Sequence, residues 1–257
     1  MKRISYNDTG LIYTLSPSRK PVASIQPGTS LIVETEDATS GQLRKPGDVR
    51  DRSTIPYGNP LVGPIYVEGA DAGKTLAVTI KRIDPLLGIG STYLTEFSES
   101  YFAGSSILDF TGSGFPRRNK ICKVDNEKVV FSDSITIPYD PMVGTIGVAP
   151  RLEEESISSG ILPGRHGGNM DIPDIRPSAT VFLPVFHTGG LIYIGDAHAT
   201  QGDGEISGTA IEMPAEIEIE VNLLDEKTNF VRIESEDEIM SVATTNAGRG
   251  MEETIRT

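Results

Sequence analysis

Carboxylates and a histidine are concentrated in the segment Gly195–Glu212, GDAHATQGDGEISGTAIE. Asp196 and His198 stand two positions apart at the end of a strand-like run, so an extended backbone would present both side chains on one face. An imidazole nitrogen beside a carboxylate oxygen is typical of sites for zinc or another divalent transition metal, with calcium as a weaker alternative. Five side chains here could bind a metal or move a proton: Asp196, His198, Asp203, Glu205 and Glu212.

A second polar, glycine-rich segment, GRHGGNMD (Gly164–Asp171), contains His166, Asn169 and Asp171. Two of the three histidines of the chain therefore lie beside carboxylates in such segments. The third, His187, fits a hairpin loop equally well and is left out of the predicted metal set. Together the two segments predict one metal site.

A catalytic zinc ion keeps a coordination position for water and lowers the pKa of that water towards about 7. A carboxylate must then accept the proton, and Glu205 and Asp203 are both near enough in sequence. The alternatives without chemistry are an ordinary Gly-Asp turn with solvated carboxylates at 201–205 and a plain loop at 166–171.

The composition indicates a globular protein, since 37% of the 257 residues are hydrophobic. A formal net charge of −13 argues against nucleic acid and anionic membranes as partners, because both need a basic surface. With one cysteine, Cys122, no internal disulfide can form. The N-terminus lacks the pattern of a signal peptide, and no apolar run approaches a membrane span. A soluble, cytoplasmic protein is expected.

The elements that must position the site are predicted to be short strands, since 27 glycines and 17 prolines interrupt the chain too often for long helices. Alternation is cleanest in Ala215–Glu226, where Ile217, Ile219, Val221 and Leu223 face one way and Glu216, Glu218 and Glu220 the other. This acidic face is interpreted as the solvated side of an antiparallel strand. Further strands are predicted in these ranges: Thr29–Thr35, Lys74–Asp84, Glu127–Pro138 and Asn229–Thr244.

Two details of the strand prediction are specific enough to test. In Lys74–Asp84, Leu76, Val78, Ile80 and Arg82 are expected on one face. The runs 179–186 and 190–197 are expected to form a hairpin across the turn at 187–189. The long segments 88–120 and 151–177 lack strong strand patterns and are expected to be functional loops. A helix is expected to begin at 247–257.

Nucleotide binding lacks its usual glycine-rich motifs in this sequence, and the Gly-x-Ser-x-Gly motif of α/β-hydrolases is absent. Five segments instead resemble, in family order, the acetamidase/formamidase family, whose members hydrolyse short aliphatic amides. These segments are PGTSLIVETEDATSGQ (27–42), NPLVGPIYVEGADAGKTLAVTI (59–80), GTIGVAP (144–150), GRHGGNMD (164–171) and GDAHATQGDGEISGTAIE (195–212).

The resemblance implies a mainly β, mostly antiparallel fold, with jelly-roll or β-sandwich architecture and small barrel-like and minor α/β parts. It implies one multi-lobed unit over residues 1–257, with sub-lobes 1–85 and 125–257 around an excursion at 88–120. The family's C-terminal helical segment is expected to be missing, and Thr200 departs from the second histidine motif. A homodimer or higher homo-oligomer is also implied.

Resemblance and residue chemistry together favour metal-dependent hydrolysis of a short, neutral amide, with zinc as the first choice of metal. The predicted metal ligands are His166, Asp196 and His198. Glu205 is predicted to shuttle protons and Asn169 to steady the oxyanion. Substrate-binding or supporting roles are predicted for Asp171, Gln201, Asp203, Glu34, Asp37 and Asn59. The alternatives are a non-catalytic metal-binding or small-molecule-binding jelly roll and a hydrolase of another C–N bond, such as a cyclic amide.

Overall fold

The computed structural model describes residues 1–93, 119–151, 156–160, 163–205 and 208–243. These residues form two large β-sheets, a small two-stranded sheet and a four-residue helix, α1 (Tyr6–Thr9). The mainly β class is thereby confirmed. No helix in these ranges is long and apolar enough to cross a membrane. The helix expected at 247–257 and positions 94–118 of the expected excursion lie outside the described residues.

The first sheet has seven strands, and all neighbours are antiparallel except the first pair, which is parallel. In sheet order they are β1 (Lys2–Ser5), β4 (Thr29–Thr35), β17 (Ala215–Leu224), β6 (Thr75–Pro85), β14 (Thr180–Pro184), β18 (Val231–Glu234) and β19 (Ile239–Val242).

The second sheet has ten strands and carries both predicted metal-binding segments. Its main path is β10 (Ile135–Pro138), β9 (Lys128–Ser132), β8 (Asn119–Val124), β7 (Ile89–Tyr93), β16 (Glu212–Met213), β15 (Ile192–His198), β11 (Met142–Val148) and β13 (Gly167–Asn169). β5 (Leu61–Val67) adds to β15 and pairs in parallel with β3 (Ala23–Ile25). The small sheet joins β2 (Thr14–Leu15) to β12 (Ile157–Ser158).

The two large sheets share one hydrophobic core, as in a β-sandwich. Val33 and Ile217 of the first sheet belong to the same buried cluster as Val62 and Ile194 of the second. Both predicted sub-lobe ranges supply strands to each large sheet. Among the described residues no sheet closes into a barrel, and the jelly-roll topology and the sub-lobe division stay predictions.

β17 forms for the reason its sequence predicts. Ala215, Ile217, Ile219 and Val221 are buried, and the intervening glutamates lie on the outer face. There Arg3 pairs with Glu216, Arg82 with Glu218 at 3.4 Å and Lys81 with Glu220 at 3.4 Å. Burial on one face and charge pairing on the other fix the register of this strand.

Two detailed strand predictions are wrong. In β6, Ile80 pairs with Ile219 but Arg82 pairs with Glu218, so one extra residue bulges out of the ladder. The bulge turns Arg82 outward and buries Ile83 instead. β14 and β15 do not form a hairpin, because β14 pairs with β6 and β18 in the first sheet and β15 lies in the second. The segment 187–189 therefore crosses between sheets.

Truncation of the core face of β17 should destabilise the fold. Ile217 is fully buried, so Ile217→Ala is expected to lower the free energy of unfolding by about 2–5 kcal/mol. Ile239→Ala is the matched control, since Ile239 is 73% exposed on the edge strand β19, and a change within about 0.5 kcal/mol is expected. Urea unfolding followed by circular dichroism measures both, and equal losses would contradict the assigned core face.

Candidate metal centre

Two groups of potential ligands meet at His198, the last residue of β15. Ligand atoms of Asp171, Asp196 and His198 lie within 4.8 Å of one another, and so do those of His198, Glu205 and Glu212. The structure therefore brings together the two segments singled out in the sequence. The shared imidazole makes them one candidate centre.

Strand pairing explains how the centre is assembled. β15 lies between β11 on one side and β5 and β16 on the other. Glu212 of β16 stands directly opposite His198, and Thr145 of β11 pairs with both Gly195 and Asn169. Because directly opposed residues of antiparallel strands share a face, the ladder places Glu212 beside the imidazole.

The ring of His198 is held by a chain of hydrogen bonds. Its Nδ1 lies 2.8 Å from Oε1 of Gln201, whose Nε2 donates to the carbonyl of Asp171 at 2.7 Å. Because the Gln201 amide oxygen accepts, Nδ1 carries the proton. Nε2 then faces Oε2 of Glu212 at 3.1 Å and Oδ1 of Asp196 at 3.6 Å.

Three carboxylate oxygens of this centre are buried without a hydrogen-bond partner among the described residues: Asp171 Oδ1, Asp196 Oδ1 and Glu212 Oε2. An unpaired buried carboxylate is costly unless a cation compensates it. The donor set, one imidazole nitrogen and several carboxylate oxygens, fits a divalent metal ion.

The second oxygen of each aspartate is fixed by an amide. Asn59 Nδ2 donates to Asp196 Oδ2 at 2.7 Å and to Asn169 Oδ1 at 2.8 Å, while Asn169 Nδ2 donates to Asp171 Oδ2 at 2.8 Å. The Thr145 hydroxyl donates to Asn169 Oδ1 at 2.6 Å. These bonds orient the Oδ1 atoms of both aspartates, as outer-shell partners do at metal sites.

Gly144 of β11 leaves the space that the aspartates occupy. A Cβ atom at this position would lie 2.6 Å from Asp171 Oδ1 and 2.9 Å from Asp196 Oδ2. A side chain here would therefore displace both carboxylates.

Backbone strain is concentrated at the centre. Seven non-glycine residues of the described ranges have positive φ, and four of them are Asn59, Asp171, Asp196 and Glu205, with φ of 53°, 48°, 57° and 40°. Such conformations cost about 1–3 kcal/mol each and persist only where the surroundings impose them. The fold therefore keeps these four side chains in place at a cost in stability.

The two acidic residues predicted to form a loop near the site, Glu34 and Asp37, lie in different parts of the structure. Asp37 Oδ1 accepts from the backbone and hydroxyl of Thr39 at 2.8 and 2.7 Å, and Arg44 pairs with both Asp37 and Glu36. The adjoining carbonyl of Ala38 accepts from the backbone N–H of Asn59 at 3.1 Å, so the loop that contains Asp37 is hydrogen-bonded to the residue that donates to Asp196. Glu34 lies elsewhere, bridged by Arg3 to Glu216 on the first sheet.

Two predicted residues do not join the ligand groups. His166 precedes β13, and its ring lies over glycine backbone: a Cβ atom on Gly164 would lie 2.8 Å from Nδ1 and one on Gly168 3.1 Å from Nε2. Both ring nitrogens are buried without a hydrogen-bond partner in the part of the chain that the structure describes, and burial lowers the pKa of His166 to about 4. Asp203 is exposed on the loop beyond Gln201.

Burial and mutual repulsion set the protonation of the centre. Burial, followed by the charge of Glu212, raises the pKa of Glu205 to about 7. Burial and the charge of Asp196 raise the pKa of Asp171 well above its usual value. For His198, burial would lower the pKa, but the charges of Glu212 and Asp196 outweigh it and raise the pKa. Without a metal ion, the centre therefore retains protons.

An open cleft borders this centre. Gln201, Asp203 and Glu205 line it together with Tyr93 and Phe131. Glu205 is the half-buried member of its ligand group, whereas His198 and Glu212 are buried. Glu205 is thus the carboxyl of that group with access to the cleft.

Sequence reasoning left Glu212, Thr145 and Gly144 out of the site. Glu212 was among the five candidate side chains of its segment, but its role depends on pairing opposite His198. Ser91, which pairs with Glu212, adds a buried hydroxyl that has no hydrogen-bond partner among the described residues. The local sequence does not assign these residues to the site, because strands distant in the chain bring them together.

The raised pKa of Glu205 predicts how stability depends on pH after chelator treatment. The folded state binds a proton that the unfolded chain has lost, so its free energy of unfolding falls as pH rises from about 4.5 to 7. Glu205→Gln should flatten that fall. Urea unfolding between pH 4.5 and 7.5 measures it, with the exposed Glu238→Gln as control. An unchanged slope in Glu205→Gln would contradict the burial of this carboxyl.

The chain is similar to known amidases in sequence. It is 28% identical to the acetamidase of Mycolicibacterium smegmatis, over 81% of this chain and 64% of that protein. The chain therefore spans slightly less than two thirds of the length of that relative.

Two solved structures share the fold. The acetamidase from Yersinia enterocolitica superposes with a TM-score of 0.84 at 33% identity, covering 99% of this chain and 77% of that one. The acetamidase from Bacillus halodurans gives 0.79 at 33% identity, covering 91% and 74%. The sequence profile of the Acetamidase/Formamidase family matches residues 7–159 and 151–246. With nearly the whole described fold matched, this chain belongs to the Acetamidase/Formamidase family.

Proposed function

We propose that this chain hydrolyses short aliphatic amides to a carboxylate and ammonia, and that it depends on a divalent metal ion held at His198. The observation that carries the proposal is that Oε2 of Glu212 and Oδ1 of Asp196 face His198 Nε2 at 3.1 and 3.6 Å. Asp171 belongs to the same ligand group, and Glu205 faces an open cleft beside it. Family membership supports the reaction class.

The proposed ligands are Asp171, Asp196, His198 and Glu212. This set replaces His166 of the sequence prediction with Asp171 and Glu212. Zinc is the favoured ion, because the set includes an imidazole nitrogen, whereas calcium takes oxygen ligands. When bound, the ion would supply Lewis-acid activation of the amide carbonyl or of the attacking water.

Glu205 is the proposed proton carrier. Amide hydrolysis needs a base for the water and an acid for the departing nitrogen, because an amide anion is a poor leaving group. Burial raises the pKa of Glu205 above its usual value, and a carboxyl that is less acidic than usual can both accept a proton and give it back. Its position at the cleft also allows proton exchange with solvent.

The other polar side chains are proposed to hold the ligands. Gln201 keeps the proton of His198 on Nδ1, which leaves Nε2 for the ion. Asn59 and Asn169 clamp the two aspartates. Asn169 uses one of its two N–H groups on Asp171, and the other can still serve the predicted oxyanion role.

Removal of the metal should abolish turnover. Elemental analysis of the purified protein is expected to show a divalent metal, and ammonia release from formamide or acetamide should stop after chelation and return with zinc. Glu212→Gln should lower the metal content, because it removes a buried negative charge, whereas Glu238→Gln should not. Full turnover by metal-free protein would refute the metal dependence.

Glu205→Gln should separate proton transfer from metal binding. Loss of a positioned acid–base group costs about 10²–10⁴-fold in rate, so ammonia release should fall by this factor while the metal content stays unchanged. Asp203→Asn, an exposed carboxyl of the same loop, is the matched control and should keep nearly full activity. The opposite pattern would transfer the role to Asp203.

Two alternatives remain distinguishable by substrate. A hydrolase of cyclic amides would release no ammonia from formamide or acetamide but would open a lactam or imide ring in the same panel. A non-catalytic binding protein would lose metal in His198→Ala and consume no substrate. The cytoplasmic location and the homo-oligomeric state stay predictions.

A further inference from the structure

A buried hydroxyl of β7, that of Ser91, has no part in the proposed function as described so far. Ser91 is 1% exposed, and its Oγ atom has no hydrogen-bond partner within the described ranges. A buried hydroxyl without a partner is unfavourable, and alanine would occupy almost the same space without that cost. Such a group in a native fold requires an explanation, and an ion bound nearby is one of the usual ones.

Strand pairing places this hydroxyl on the face of the sheet that carries the metal centre. Ser91 pairs with Glu212 of β16, and Glu212 pairs in turn with His198 of β15. Directly opposed residues of antiparallel strands share a face, with Cβ atoms about 4.5–5.5 Å apart. Ser91, Glu212 and His198 therefore form one row across three strands, and the hydroxyl lies on the same side as the Glu212 carboxyl.

Contacts on both sides of Ser91 hold β7 close to this segment. A Cβ atom on Gly90 would lie 3.1 Å from the carbonyl oxygen of Glu212, so any side chain there would push the two strands apart. The backbone N–H of Tyr93 donates to Thr209 Oγ1 at 3.3 Å, and the Thr209 hydroxyl donates to the carbonyl of Tyr93 at 2.6 Å. The register that sets Ser91 opposite Glu212 is thus fixed from both directions.

Glu212 differs from the two aspartates of the centre in how its carboxylate is held. Each aspartate has one oxygen fixed by a side-chain amide, from Asn59 or Asn169. Glu212 Oε1 instead accepts from the backbone N–H of Ala210 at 3.1 Å, and its Oε2 has no hydrogen-bond partner among the described residues. Carboxylates that bind metal ions are regularly oriented by donors behind them. The β-ladder places the Ser91 hydroxyl where it can be that donor.

We propose that Ser91 is a positioning residue, whose hydroxyl donates a hydrogen bond to the Glu212 carboxylate when that carboxylate binds the divalent ion. The inference rests on the proposed function, since it requires a metal ion held at His198. A serine hydroxyl moves between staggered χ1 positions without a shift of the backbone, so Oγ can turn towards the ionised carboxylate. Ser91 then acts on metal affinity through Glu212 and does not touch the substrate.

Zinc titration of the chelator-treated chain, in competition with a chromogenic chelator, tests this role. Ser91→Ala should weaken zinc binding by about tenfold, the lower end of the effect of removing such a donor. It should not lower the thermal unfolding midpoint of the metal-free protein, because the hydroxyl removed has no partner there.

Thr75→Val is the matched control. Thr75 is fully buried in the first sheet, and its hydroxyl donates to the carbonyl of Glu226 at 2.8 Å. Loss of that hydroxyl should lower the unfolding midpoint and leave zinc affinity unchanged, the reverse of the pattern expected for Ser91→Ala. A loss of zinc affinity that accompanies a lower midpoint in Ser91→Ala would assign Ser91 to packing alone and overturn the proposal.

A double variant tests whether Ser91 acts through Glu212. A hydrogen bond to a neutral amide is roughly half as strong as one to a carboxylate, so in the Glu212→Gln background the effect of Ser91→Ala on zinc affinity should shrink to about threefold. An undiminished tenfold loss in that background would contradict the link to Glu212.

The remaining outcomes separate this inference from the proposed function. Zinc binding by Ser91→Ala as tight as that of the parent would overturn the inference alone, provided that the parent binds zinc and releases ammonia. Unchanged zinc affinity with a raised KM would place the hydroxyl against the substrate and overturn it as well. A parent chain that binds no zinc would refute the metal centre itself, and the inference with it.

Discussion

Unpaired negative charge around His198 is the constraint on which the rest of this centre depends. Among the described residues, one carboxylate oxygen each of Asp171, Asp196 and Glu212 is buried near His198 without a hydrogen-bond partner. Such charge is stable only with protons or a cation beside it. Without a metal ion, this unfavourable charge raises the pKa values of Asp171 and Glu205, so that these carboxyl groups hold protons more tightly. A divalent ion would satisfy it without protonating the ligands, so metal binding and the stability of this region are thermodynamically linked.

The surrounding architecture serves to keep that charge in place. The β-ladder fixes Glu212 opposite His198, while amides from two distant segments hold the aspartates. Positive φ angles at Asn59, Asp171, Asp196 and Glu205 show that the backbone is strained where it delivers these side chains. Such strain is sustained by the shared core of the two sheets, which contains residues of β15 and β11 such as Ile194 and Ile146. The paired strands and the residues with positive φ together position the proposed ligands.

Local sequence patterns predicted what depends on neighbouring residues and missed what depends on pairing. The alternation of β17 and the proximity of Asp196 to His198 follow from spacing along one strand, and both are seen. The bulge that turns Arg82 outward and the crossing at 187–189 are set by partners elsewhere in the chain. Glu212 and Thr145 reach the centre through the same long-range pairing. The polar, glycine-rich segment around His166 suggested a metal ligand. In the structure, the ring of His166 packs against Gly164 and Gly168 and belongs to neither ligand group.

Because both ligand groups share the imidazole of His198, they cannot each bind a metal ion through it at the same time. Both ligand groups need His198, and Nδ1 is committed to Gln201, so only Nε2 is available to an ion. An ion held by the proposed ligands, Asp171, Asp196, Glu212 and Nε2 of His198, would leave Glu205 unliganded at the cleft. Glu205 could then titrate without releasing the ion, which a carboxylate buried among the ligands could not do. Such a division between buried ligands and a half-buried carboxyl would make proton transfer compatible with a bound metal ion.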